Sequence, residues 1–220
     1  MKNGFVPQAI AERTSYSRKV TVGELYGALV DGMRAAVVFA WNRRTKRVDE
    51  AFLERVQLAV TAVNACAVCS YVHSGLALKM GLSEAEIHGM LTGEGQTPHA
   101  HEAKALLFAE HYADTRCRPD RAAHAALLAA YGRPTARVIV AAIQLMIVGN
   151  YIGLPLSARR SRKHGKPYTD SSVAYETGMV ALFFLFIPPA LVHASVRALL
   201  GRPALRFAPA QQLPMENSMP

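Results

Sequence analysis

The chain is poor in the features that mark secreted and β-rich proteins. It has only three cysteines in 220 residues, an odd count that argues against the paired disulfide framework of a secreted domain. Its first residues, MKNGFVPQAIAERTSYSRKV, contain no apolar run of the kind a secretory signal needs. Both features predict a reducing, cytoplasmic setting, where a Cys-x-x-Cys is a thiol or metal site rather than a static staple. Runs of β-branched residues and Asn-Gly or Asp-Gly turns are scarce, which argues against hairpin-based sheets. There is no internal repeat and no heptad array. Acidic residues are also few: 16 against 25 Lys and Arg, for a net charge of +9.

What is present is apolar and helix-forming. Apolar residues make up 51% of the chain and charged residues 19%, a composition that argues for a packed core and against disorder. Ala and Leu abound, and caps and breakers divide the chain into helices. Thr21 caps a helix from about 22 to 41, and Asp49 caps one from about 50 to 63. Asn64 reads as the cap of a helix over 65–80 that Gly81 closes. Ser83 and Glu86 read as a capping box opening a short helix to Leu91. Thr97-Pro98 opens the helix carrying AHEAKALLFAEHYADT, Pro119 begins another that Gly132 stops, and Arg133-Pro134 precedes the long apolar TARVIVAAIQLMIVGNYIGL. These readings predict an all-α bundle: an N-terminal arm (1–21), a helical domain (22–166), and a C-terminal apolar helical extension with a tail (167–220).

One stretch, VNACAVCSYVHSGLALKMGLS (63–83), concentrates the chemistry. If Asn64 is the cap, then at about 100° per residue Cys66, Cys69 and His73 share a helix sector of about 60°. Cys69 and His73 are i,i+4 neighbours, while Cys66 sits where free amides and the helix dipole favour a thiolate. A dithiol redox site needs such a set: one sulfur ionised enough to attack, a second to close a disulfide, and a base in reach. Two other readings stand beside it. Two core cysteines and a packed histidine would look the same. A structural zinc site would take three ligands here, but the chain holds no second Cys-x-x-Cys or His pair, and Cys117 stands alone in DTRCRPD. Thiol chemistry fits the cluster best.

With Glu54 eleven residues before Cys66, the pattern is Glu-x11-Cys-x2-Cys-x3-His. It resembles the signature of the alkyl hydroperoxidase D-like branch of the carboxymuconolactone decarboxylase superfamily. GLALKMGLSEAEIHGML and the apolar GNYIGLPLSA, with its Asn, add weaker similarity over roughly 22–166. The resemblance implies an all-helical, homo-oligomeric enzyme that reduces peroxides without a cofactor or metal. It makes Cys69 the attacking thiolate and Cys66 the resolving thiol, with His73 and Glu54 as a proton relay and an external thiol or dithiol as electron donor. Where some members carry a second histidine before the second cysteine, this chain has Val68, which implies a shorter relay. By helix geometry alone, the i,i+4 contact favours Cys69 and the dipole favours Cys66. Glu54 lies on a polar stripe with Gln57, Thr61 and Asn64, opposite an apolar stripe of Leu53, Val56, Val60 and Val63; such a Glu is ordinarily solvated. The alternatives are a non-thiol carboxymuconolactone decarboxylase-like enzyme working by proton transfer, and a zinc-bound or catalytically idle helical interaction module.

Outside the apolar segment that holds His193, the remaining histidines, His88, His99, His101, His111, His124 and His164, share no spacing with a partner and read as surface residues. Much of the positive charge lies in RRTKR (43–47) and RRSRKHGK (159–166), at helix ends where the dipole favours it. No aromatic interleaving or nucleic-acid module accompanies these runs, so nucleic acid is not an expected partner. The segment 178–196 runs nineteen residues without a formal charge. Pro188-Pro189 should break it into a helical pair packed on the bundle or on a second subunit. Its basic surroundings make a membrane surface the competing cover for 178–197, and a membrane span is the third reading. The last residues, APAQQLPMENSMP, read as a loose tail.

Overall fold

In the computed structural model, which describes residues 4–94 and 99–209, Thr21 opens the first long helix with a reciprocal cap. Its hydroxyl accepts from the Glu24 amide, and the Glu24 carboxylate accepts from the Thr21 amide. Among the described residues there are eight helices and no strand: α1 (Gln8–Ala11), α2 (Val22–Thr45), α3 (Glu50–Asn64), α4 (Ala67–Lys79), α5 (Glu84–Thr92), α6 (Ala103–Asp114), α7 (Arg121–Lys163) and α8 (Val173–Leu199). The protein is an all-α helical bundle. Asp49 caps α3 through the Phe52 amide, and Gly81, at φ 95, turns the chain out of α4 as its position suggests. Ser83 caps α5, but Glu86 does not complete a box; its carboxylate pairs with Arg55 instead. The expected helix opening at Thr97-Pro98 lies outside the described residues, and so does 210–220 of the expected tail.

The axis of the bundle is α7, which packs on α2, α3, α4, α6 and α8. It begins at Arg121 rather than at Pro119, and Gly132 (φ 70, ψ 159) divides it into two helical segments. Ile139, Ile143 and Ile147 repeat every four residues down its buried face, each 2% exposed or less. The arm before α2 is tied down at both ends. Phe5 exchanges hydrogen bonds with the Ser74 hydroxyl on α4, and the Tyr16 amide donates to Asp170.

The expected break at Pro188-Pro189 does not occur; α8 is one continuous helix of 27 residues. Both prolines fall on its exposed side, so the ladder bonds they remove are those to the carbonyls of Phe184 and Leu185, on the same exposed side. By length and composition α7 and α8 could each cross a membrane. Within its most apolar stretch, however, α7 is 78% buried inside the protein and α8 only 17%. After α8 the chain returns over α2 and α7, where Leu205 is buried and Arg206 reaches Asp31.

Candidate active site

The site begins with the end of a helix. Helix α3 runs through Asn64, and Ala65 takes the left-handed conformation (φ 50, ψ 45) that terminates it. Cys66 is then extended (φ −81, ψ 105) and is itself the N-cap of α4, its sulfur accepting from the Cys69 amide at 3.3 Å. This corrects the expected helix start, in which Asn64 was the cap and Cys66 lay in the first turn. Asn64 is instead the last residue of α3, and its side-chain amide donates to Val60 and to the Asn150 side chain on α7. Cys66 and Cys69 still face each other. Their sulfurs are at disulfide distance, with Cα atoms 5.3 Å apart, inside the range that a disulfide spans. Both residues are buried, Cys66 at 0% and Cys69 at 5% exposure.

Helix α7 forms the floor. A methyl group at Gly153 would stand 2.5 Å from each sulfur, so only glycine lets α7 approach the pair this closely. One turn on, the Ser157 hydroxyl accepts from the Val68 amide at 3.1 Å and donates to the Gly153 carbonyl at 2.8 Å. One turn back, the Gly149 carbonyl lies 3.4 Å from Cys69 Sγ, a partner for its S–H when the pair is reduced. Asn150 donates to Thr61 and accepts from Asn64, locking the end of α3 onto α7. The motif similarity in this segment singles out an Asn, not Gly149, Gly153 or Ser157. Their i,i+4,i+8 spacing of small residues is the signal that marks them.

Glu54 is 3% exposed and accepts a 2.6 Å hydrogen bond from His73 Nδ1. The polar stripe of α3 therefore points inward; Thr61 and Asn64 are also at 1% exposure or less. A carboxylate on Nδ1 fixes the imidazole tautomer and leaves Nε2 with the lone pair. His73 lies one helical turn beyond Cys69. Of the four residues singled out in the sequence, Cys66 and Cys69 stand at the turn from α3 to α4 with α7 behind them, and Glu54 and His73 join the two helices through their hydrogen bond. Among the described residues, no group of three or more His, Cys, Asp or Glu side chains is placed to hold a metal ion. Two histidines depart from the surface expectation: His111 and His124 are half-buried, and His111 accepts from the Asp120 amide.

A family model described as carboxymuconolactone decarboxylase family matches residues 26–110. That segment is similar to the carboxymuconolactone decarboxylase family. It contains Glu54, Cys66, Cys69 and His73, and the helical folding of this family segment agrees with the resemblance carried by the motif. The floor residues Gly153 and Ser157 and all of α8 lie beyond the matched residues. No curated protein and no solved structure matches the chain.

Proposed function

We propose that the protein is a dithiol oxidoreductase that reduces hydroperoxides through Cys66 and Cys69. The family includes hydroperoxidase D-like peroxidases as well as decarboxylases, and the observation that carries the thiol reading is the sulfur pair at bonding distance beside the His73–Glu54 dyad. A decarboxylase-type proton transfer has no need of paired sulfurs.

In the reduced protein, His73 Nε2 takes the proton of Cys69 and the thiolate attacks the terminal peroxide oxygen. The O–O bond breaks, Cys69 becomes a sulfenic acid, and the departing alkoxide takes a proton from the imidazolium. The Cys66 thiol then attacks the sulfenic sulfur, forming the disulfide and releasing water. An external thiol or dithiol returns two electrons. Cys69 is the attacking sulfur because it lies one turn from His73, whereas Cys66 accepts the Cys69 amide and sits deeper. The same reading makes a second copy of the chain the partner that covers α8.

Mass spectrometry of reduced protein with one equivalent of cumene hydroperoxide tests this. The expected result is loss of two hydrogens, with peptide mapping giving a Cys66–Cys69 link. Cys66→Ser should stop at a trappable sulfenic acid, and Cys69→Ser should not react. Peroxide consumption that survives Cys69→Ser, or a bridge to Cys117, would overturn the reading.

A further inference from the structure

Away from the sulfur pair, a cavity of about 510 Å³ opens between α2, α7, α8 and the segment after α8. That volume lies in the range of about 300–1,000 Å³ that holds small ligands. Its walls are mainly apolar: Met33, Val37 and Val38 from α2, Leu128 and Val140 from α7, and Leu191 from α8. Three arginines also line it, Arg34, Arg133 and Arg137. No residue of the candidate active site does.

Among the described residues, no carboxylate balances the charge around this cavity. Asp31 is the buried carboxylate nearby, and it is already engaged by Arg197 at 3.3 Å and Arg206 at 2.6 Å. Among the described residues, Arg34 donates to neutral acceptors only, the carbonyls of Arg202 and Pro203 at 2.9 and 3.1 Å. Among the described residues, no ion pair involves Arg34, Arg133 or Arg137. Burial lowers the Arg34 pKa, and the like charges of Arg197 and Arg137 press in the same direction against the pull of Asp31. His124, also on the wall, is held below its ordinary pKa by burial and adds no carboxylate-like charge.

We propose that this cavity binds an amphipathic monoanion, a medium- or long-chain fatty carboxylate. Its alkyl chain lies on the apolar walls, and its carboxylate sits among Arg34, Arg133 and Arg137. Arginine suits this role because its planar fork meets a carboxylate with two parallel hydrogen bonds. A cationic or neutral amphiphile would leave the guanidinium cluster unneutralised. A short anion would leave the apolar walls wet.

Calorimetric titration of the full chain, below micellar concentrations, tests the proposal with decanoate, decanol, acetate and decyltrimethylammonium. One decanoate should bind per chain, about tenfold or more tighter than decanol, with acetate and the cation weaker still. The double variant Arg34→Gln/Arg137→Gln should weaken decanoate by about tenfold and leave decanol unchanged. Ala198→Trp, which puts bulk into the cavity, should weaken both, with helical content checked by circular dichroism for each variant. Equal affinity for decanoate and decanol, or no effect of the arginine pair, overturns the proposal. So does binding that is lost with Phe184→Ser/Leu185→Ser but not with Ala198→Trp, because the exposed face of α8 is then the adsorbing surface. A chain ending at Pro209 that binds decanoate where the full chain does not assigns the cavity to the chain's own last residues, and likewise overturns it.

Discussion

The carboxylate of Glu54 and the imidazole of His73 are 2.6 Å apart, on different helices, with Glu54 almost wholly out of water. A buried carboxylate without a partner is costly, so this pair orders α3 against α4 while it orients the ring. In the proposed reaction, removing the imidazole removes both the base and the acid. His73→Ala should slow oxidation of Cys69 by about 100-fold or more, and should move Cys69 alkylation to higher pH. Glu54→Gln keeps the ring and should cost about tenfold. Stopped-flow oxidation with one equivalent of peroxide reads both rates. Unchanged rates and pH profiles would make the pair a structural contact only.

The contact between Gly153 and the two sulfurs makes a prediction with an unusual sign. Gly→Ala inside a helix ordinarily stabilises, by about 0.5–1 kcal/mol. At Gly149 an added methyl meets only Met146 at 3.8 Å, so Gly149→Ala should be neutral or stabilising. At Gly153 it meets both sulfurs at 2.5 Å, and overpacking of this kind costs about 1–3 kcal/mol. Gly153→Ala should therefore destabilise the fold in urea and slow peroxide oxidation, while Gly149→Ala does neither. Equal behaviour of the two variants would remove α7 from the site.

Much of the helical plan was legible in the sequence because it is local. Thr21, Asp49, Ser83 and Gly132 act within a few residues of themselves, and their caps and breaks fall where their chemistry puts them. The Glu54, Cys66, Cys69 and His73 set was legible for the same reason, as a spacing. The rest depends on partners distant in sequence. Asn64 reads as a cap, but it ends α3 with its amide on Asn150, 86 residues away, and Ala65 turns left-handed without being a glycine. The polar stripe of α3 looks solvent-facing until α7 supplies Asn150 to satisfy Thr61 and Asn64 inside. Pro188-Pro189 reads as a break because a sequence does not say that both rings lie on an unpacked side.

The third cysteine should behave unlike the other two. Cys117 is buried, with Tyr151 Oη 3.6 Å from its sulfur, and burial pushes its thiol up from 9.0 to about 11. At pH 8 it stays protonated and is a poor nucleophile. Iodoacetamide at that pH should modify Cys69 in the reduced native chain but reach Cys117 only after denaturation. The same shift fixes a stability trend. Below pH 9 the thiol is protonated in both states and contributes nothing. Between about 9 and 11 the unfolded chain ionises first, so folded stability must fall as pH rises. Tyr112 and Tyr151, both raised by burial, act in the same sense. Urea midpoints that stay level from pH 8.5 to 10.5 in wild type, or Cys117 modified in native protein, would contradict this environment.

The exposed face of α8 carries the last prediction. Ala181, Leu185, Pro188, Val192, Ser195 and Leu199 are all exposed and follow one another at intervals of four and three residues. Phe184 and Val196 flank them, at 63% and 46% exposure, and no charged side chain interrupts the stripe. Alternating steps of four and three make a narrow seam suited to another helix, as in coiled-coil packing. A helix lying flat on lipid instead presents a broad apolar face bounded by cations. Burying each large side chain is worth about 1.5–3 kcal/mol, so covering Phe184, Leu185, Val192, Val196 and Leu199 on two copies is ample to hold them together. The full chain should sediment as a homo-oligomer in detergent-free buffer. Leu185→Arg/Val192→Arg, which changes only exposed positions, should give a helical monomer that keeps its Cys66–Cys69 chemistry. An unchanged sedimentation coefficient in that variant would refute the seam, and flotation of the wild-type chain with liposomes would show that α8 is covered by lipid instead.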